Sequence, residues 1–169
     1  NAVDGRASRL RTVLDESDVF RLRLADRDGL ANQTIPLCRV TVYEDRTPRI
    51  RVLAPDPSIS LPPDETVPVF FKARDDFGIG SAKLIVTTGD RERKVLKSVD
   101  VPLGRQAGSR TVTARTALDL ADLELDEGQV LIYTVQVSDA RKRIAPARAT
   151  GSSRRQRIRI DRGADSFIG

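Results

Sequence analysis

Val130-Leu131-Ile132-Tyr133-Thr134-Val135-Gln136-Val137-Ser138-Asp139 is the stretch whose reading decides the fold. Tyr133, Val135 and Val137 recur at every second position, with Thr134 and Gln136 between them. A period of two places the apolar set on one face and the polar set on the other, as in a half-buried β-strand. The same stretch has an earlier echo. Leu14-Asp15-Glu16-Ser17-Asp18-Val19-Phe20-Arg21-Leu22-Arg23-Leu24-Ala25-Asp26 aligns with Leu125-Asp126-Glu127-Gly128-Gln129 and Val130–Asp139, the second copy carrying two extra residues. Leu14 corresponds to Leu125 and Phe20 to Tyr133, a period far longer than a solenoid or propeller repeat.

Working outward, other segments repeat the alternation. Val67, Val69, Phe71 and Ala73 point one way, with Pro68 marking an edge position at that end. Strands are expected at 49–53, 82–88, 94–101 and 111–118, and a last one carries Ile158 and Ile160 inward. Ala54 to Pro63 reads as a Pro-rich crossing, and 119–125 as a helical turn or extended bend. Upstream, Phe20, Leu22 and Leu24 alternate with Arg21 and Arg23, and 38–43 forms a second alternating strand. Asp26-Arg27-Asp28-Gly29 makes a turn between them. Tyr133, preceded by Leu125 and Gly128, reads as a tyrosine corner whose hydroxyl bonds nearby backbone.

Many short strands, turn signals and no long amphipathic helix predict an all-β chain. The repeat period matches the length of one immunoglobulin-like Greek-key sandwich. The expected organisation is therefore 1–45 as the C-terminal strands of a preceding, incomplete domain of the same kind, 46–161 as one complete sandwich, and 162–169 as a tail or linker. Glu44-Asp45-Arg46-Thr47-Pro48 is a short, semi-rigid junction, because Pro48 restrains Thr47 to extended geometry.

Composition removes several chemistries. The chain has no His and one cysteine. Ser-His-Asp catalysis, an intrachain disulfide and multi-thiolate zinc sites are thereby excluded. Cys38 alternates with Val40 and Val42, so its expected role is core packing. No apolar run is long enough to span a bilayer, so no membrane insertion of this segment is expected. Two carboxylates alone do not make a glycosidase, because aromatics are only 4% of the chain and no stacking platform is visible.

Two charged constellations remain. Counting strands in a Greek key brings Asp75, Asp76 and Asp139 to the end of the sandwich at which the junction residue Asp45 lies. The same counting puts Asp15 or Glu16 there from the first domain. Oxygen-rich clusters suit calcium, which takes six to eight hard ligands. Asp residues also cap turns locally, and Arg46, Arg74 and Arg141 stand near enough in sequence to neutralise them. Turn capping with salt bridges is the preferred reading, with no cofactor, and calcium is the alternative. The second constellation is basic. Arg141, Lys142, Arg143, Arg148, Arg154, Arg155, Arg157, Arg159 and Arg162 face one acidic residue in their stretch, Asp161. Arg141, Lys142, Arg143, Arg154, Arg155, Arg157 and Arg159 are the anion-binding candidates, on an edge suited to a polyanionic glycan. Lipid headgroups offer the same chemistry, and nucleic acid is not the expected partner.

Pro63-Asp64-Glu65-Thr66-Val67-Pro68-Val69-Phe70-Phe71-Lys72-Ala73-Arg74-Asp75-Asp76-Phe77-Gly78-Ile79 resembles the Ig-like or fibronectin-III-like segments of large bacterial membrane-anchored envelope proteins, of planctomycete and proteobacterial type. In these an Asp-Asp-Phe-Gly-Ile/Leu turn follows an extended strand. Val130–Asp139 and Gly151-Ser152-Ser153 to Ile160 resemble their closing strands. The likeness covers roughly 45–161. A fainter resemblance is to cadherin-like modules, carried by the Asp-rich turns and by Asp45 ahead of Pro48. Glu44-Asp45-Arg46-Thr47-Pro48 departs from their calcium linkers in offering only two carboxylates. The resemblance implies a periplasmic or extracellular segment of a membrane-anchored parent, with no enzymatic activity. The expected function is a structural or interaction module, a spacer or docking domain meeting other domains of the same or a neighbouring envelope protein. The alternative is a ligand-binding module for calcium or polyanionic glycan.

Overall fold

Alternating side chains become strands with one buried face, and the chain is all-β. The structure is a computed structural model that describes residues 2–4, 7–8, 11–14, 16–43, 45–140 and 149–167. It divides into two compact units, Asn1–Glu44 and Asp45–Gly169. The first contains β1 (Ala2–Asp4), β2 (Ala7–Ser8), β3 (Asp18–Arg21) and β4 (Leu37–Val40), paired as two antiparallel ladders, β1 with β2 and β3 with β4.

The second unit contains β5 (Arg49–Ala54), β6 (Ser58–Leu61), β7 (Thr66–Arg74), β8 (Ile79–Thr88), β9 (Val95–Val101), β10 (Thr111–Asp119), β11 (Val130–Asp139), β12 (Thr150–Ser152) and β13 (Gln156–Ile160). One sheet has the order β10-β7-β5, and the other the order β6-β13-β11-β8-β9 with β12 added to β11. All pairings are antiparallel except that of β6 with β13. Consecutive strands β7 and β8 belong to different sheets, as do β10 and β11, which is the crossing pattern of an immunoglobulin-like Greek-key sandwich.

A single core joins the two sheets. Val67, Val69, Phe71 and Ala73 enter it from β7, Leu84 and Val86 from β8, Leu131, Tyr133, Val135 and Val137 from β11, and Ile158 and Ile160 from β13, all fully buried. Pro68 sits where β7 still pairs with Ala117 of β10 but has run past its last partner in β5, so its missing N–H costs no ladder bond on that side. Phe167, beyond the last strand, packs against the core.

Three expectations change. Residues 54–63 are not only a crossing, because Ser58–Leu61 is a strand parallel to β13. Phe20, Leu22 and Leu24 alternate as foreseen but are exposed, as is Val19, since β3 and β4 form a two-stranded ladder with no second sheet over it among the described residues. Cys38 is partly buried beside Val40 in that ladder. Tyr133 is not a corner tyrosine: its hydroxyl is buried with no hydrogen-bond partner among the described residues.

Candidate functional site

The chemistry gathers where β7 ends and turns into β8. The Asp75 N–H donates to the Arg110 carbonyl at 3.0 Å, and its Oδ2 accepts the Phe77 N–H at 2.8 Å, closing an Asx turn. Gly78 follows at φ 96°, a conformation natural to glycine. The Ile79 N–H donates to the Ser109 carbonyl, the Gly108 N–H to the Ile79 carbonyl, and the Ala140 N–H to the Gly78 carbonyl. Asp75-Asp76-Phe77-Gly78 is thus held by backbone bonds on two sides, and its carboxylates are carried on a firm support.

Asp45, on the chain entering β5, comes to the same corner. One carboxylate oxygen from each of Asp45, Asp75 and Asp76 can be chosen so that all three lie within 4.8 Å of one another. Asp75 is 5% exposed, and its Oδ1 has no hydrogen-bond partner among the described residues. Burial raises the Asp75 pKa; the Phe77 N–H opposes this, and the charges of Asp76, Asp45 and Asp139 add to the rise. Asp139 is fully buried at the end of β11, in register with Ile79. Of the carboxylates singled out by strand counting, Asp45, Asp75 and Asp76 therefore converge, and Asp139 stands close enough for its charge to be felt. Asp15 lies outside the described residues.

Of the arginines expected to neutralise this turn, Arg141 lies outside the described residues. Arg46, Arg49, Arg74 and Arg110 line a cleft of about 410 Å³ with Asp75 and Asp76. Among the described residues none of these arginines comes within ion-pair distance of Asp75 or Asp76.

These arginines continue onto a surface that sequence reasoning missed. On the outward face of β10-β7-β5, Arg49 stands directly opposite Arg74, and Arg51 directly opposite Lys72. Arg115 of β10 faces Phe70. Arg49, Arg51, Lys72, Arg74 and Arg115 are all exposed, beside half-exposed Phe70 and exposed Leu53. None makes an ion pair among the described residues. Each basic residue was legible as the polar partner in an alternating strand. What the sequence concealed was that β5 and β7 pair in the register that stacks like charges.

The basic edge foreseen on the last strand is present in part. Arg157 and Arg159 are exposed on β13, opposite Ser58 and Ser60 of β6, and Arg155 is exposed just ahead of the strand. Arg154 lines a second cleft, of about 610 Å³, together with Arg51 and Asp56. Arg141, Lys142 and Arg143 lie outside the described residues.

No family model matches the chain, and no curated protein does. Among solved structures the chain is similar to the fibronectin(III)-like modules of Clostridium thermocellum CbhA, with 16% identity and a TM-score of 0.42, over 88% of this chain and 65% of that one. The chain thus spans about two thirds of that structure's length. It is also similar to the CARDB domain of the Pyrococcus furiosus PF1109 protein, solved in complex with di-metal ions, with 14% identity and a TM-score of 0.38, over 72% of this chain and 98% of that one.

Proposed function

We propose that this chain is a non-catalytic docking module of a larger membrane-anchored cell-envelope protein, and that it holds an acidic partner on the outward face of the β10-β7-β5 sheet. The observation that carries the reading is the pairing of Arg49 with Arg74 and of Arg51 with Lys72 across one ladder. Like charges directly opposite on a sheet destabilise it, by roughly 0.2–1 kcal/mol a pair. Two such pairs side by side, with no ion pair to relieve them among the described residues, are a cost that an anionic partner turns into attraction. Alternate residues on a strand stand about 6.6 Å apart and neighbouring strands about 4.8 Å. The guanidinium and ammonium groups therefore form a grid suited to a linear polyanion such as an acidic glycan. Exposed Phe70 and Leu53 add apolar contact beside it.

The envelope setting is supported by the Asp75-Asp76-Phe77-Gly78-Ile79 turn and its flanking strand, which resemble the corresponding segments of membrane-anchored proteins. The non-catalytic reading is supported by the residue types gathered at this corner, arginine and aspartate, in a chain that contains no His. Such groups pair and position more readily than they move protons at neutral pH.

The test is heparin affinity measured across salt concentrations for three proteins: the wild type, R49Q/R51Q/K72Q/R74Q, and R155Q/R157Q/R159Q. Retention that weakens with salt, as the Debye length shortens from about 10 Å at 0.1 M, and that is lost in the first variant, supports the sheet-face reading. Loss confined to the second variant moves the site to β13. Salt-independent retention overturns both. Parallel binding to anionic vesicles and duplex DNA separates a glycan-type partner from the other two.

A further inference from the structure

We propose that Asp45, Asp75 and Asp76 bind a hard divalent cation, calcium by its chemistry, at the end of the sandwich where β7 turns into β8. The proposal stands independently of the sheet-face reading, because its ligands are carboxylates and its readout is thermal stability.

The geometry comes first. Oxygens bound to one calcium ion lie about 2.3–2.6 Å from it, so no two of them are further apart than roughly 5 Å. One oxygen from each of the three carboxylates meets that limit, all lying within 4.8 Å of one another. The donor set is oxygen alone, with no His or Cys in it, which favours calcium, magnesium or manganese over zinc or copper. Three protein carboxylates on one ion suit calcium better than magnesium, which keeps most of its water and demands a stricter octahedron.

The second observation is Asp75 itself. It is 5% exposed, and its Oδ1 is buried without a partner among the described residues. Its other oxygen is occupied by the Phe77 N–H at 2.8 Å. A carboxylate tied down through one oxygen, with the other buried and undonated, in a group with two further carboxylates, is a preformed ligand. The cleft's arginines do not supply the missing partner, since no guanidinium among the described residues reaches Asp75 or Asp76. Burial and three neighbouring carboxylates already push the Asp75 pKa upward, so a cation placed there would relieve both.

The position suggests the consequence. Asp45 lies on the chain that enters β5, whereas Asp75 and Asp76 lie on the turn after β7, and β5 and β7 are paired from Arg49 and Arg74 onward. An ion here would clip the entering segment to the turn and close the end of the β5–β7 ladder.

The experiment uses the full chain, melted in calcium chloride and in chelator, with calorimetric titration of calcium chloride and of magnesium chloride. The expected result is a rise in Tm of about 5–10 °C at saturating calcium. D76N and D45N should reduce the rise. D75N should abolish it, while melting in chelator at or above the wild-type temperature, because the amide removes a buried charge and keeps an oxygen for Phe77. Should D75N not fold, D76N decides, since Asp76 is exposed. Equal melting in calcium and chelator with no heat of binding would overturn the proposal, as would a rise that survives all three substitutions. A larger response to magnesium than to calcium would overturn the choice of ion.

Discussion

Gly78 and Gly108 approach so closely that a Cβ built on Gly78 would lie 2.2 Å from the Gly108 carbonyl oxygen. Gly78 also holds φ 96°, which costs any other residue backbone strain. The β7–β8 turn and the loop before β10 meet at this point, so neither backbone can retreat without breaking the bonds between Ile79 and residues 108–109. Gly78→Ala should destabilise the second unit by at least about 2 kcal/mol. Urea denaturation would show it as a lower midpoint with an unchanged m-value.

Arg49 and Arg74 repel each other across a ladder that also sets Arg51 opposite Lys72. Arg49→Gln should therefore raise stability at low ionic strength, by roughly 0.2–1 kcal/mol, with the gain fading as salt is added. The same substitution should weaken heparin retention. Opposite signs in the two measurements are the expected signature of charges kept for a partner. A loss of stability at low salt would show that Arg49 has a structural role of its own.

Tyr133 carries a buried hydroxyl with no partner among the described residues, and burial raises its pKa above the ordinary value near 10. Tyr133→Phe should be neutral or stabilising by up to about 2 kcal/mol, since a buried unsatisfied polar group is removed with the ring kept. The pH dependence follows from the direction of the shift. Above pH 10 the unfolded chain gives up the phenol proton while the folded chain retains it. Wild-type stability should then fall relative to Y133F by about 1.4 kcal/mol per pH unit. Parallel denaturation curves of the two proteins between pH 8 and about 11 would check both statements.

Val135 is fully buried in the middle of β11, opposite Leu84 of β8 and hydrogen-bonded on its other side to Ser153, between β12 and β13. Val135→Asp should unfold the second unit, because an unpaired buried carboxylate costs several kcal/mol. The far-UV spectrum and thermal melt of V135D would report it. A soluble variant that melts cooperatively near the wild-type temperature would contradict the placement of this strand.

How much of the fold could be read in advance depends on range. The inward sets of β7 and β11, at Val67, Val69, Phe71, Ala73 and at Tyr133, Val135, Val137, follow from period two, and all seven are fully buried. The Asp75–Gly78 turn follows from local chemistry, an Asx bond and a positive φ, and stands where it was expected. The short strand β6 escaped notice because four residues among prolines, Ser58–Leu61, carry too little pattern, and their order comes from pairing with β13. Phe20, Leu22 and Leu24 show the converse. Their alternation is genuine, yet alternation marks a face suited to burial and does not provide the layer that buries it.

The candidate site divides along the same line. Strand counting was enough to bring Asp45, Asp75 and Asp76 to one end, because a Greek key fixes which turns share an end. The sequence by itself therefore determined the element type, the inward residues of the main strands and the coarse grouping of the carboxylates. Only the tertiary structure decided that Arg49 opposes Arg74 and Arg51 opposes Lys72, and that Asp75 Oδ1 and the Tyr133 hydroxyl are buried without a hydrogen-bond partner among the described residues. The reason is physical. Side-chain direction along a strand is set by the chain's own two-residue period, whereas register and partners are set by contacts between segments distant in sequence, which local pattern does not encode.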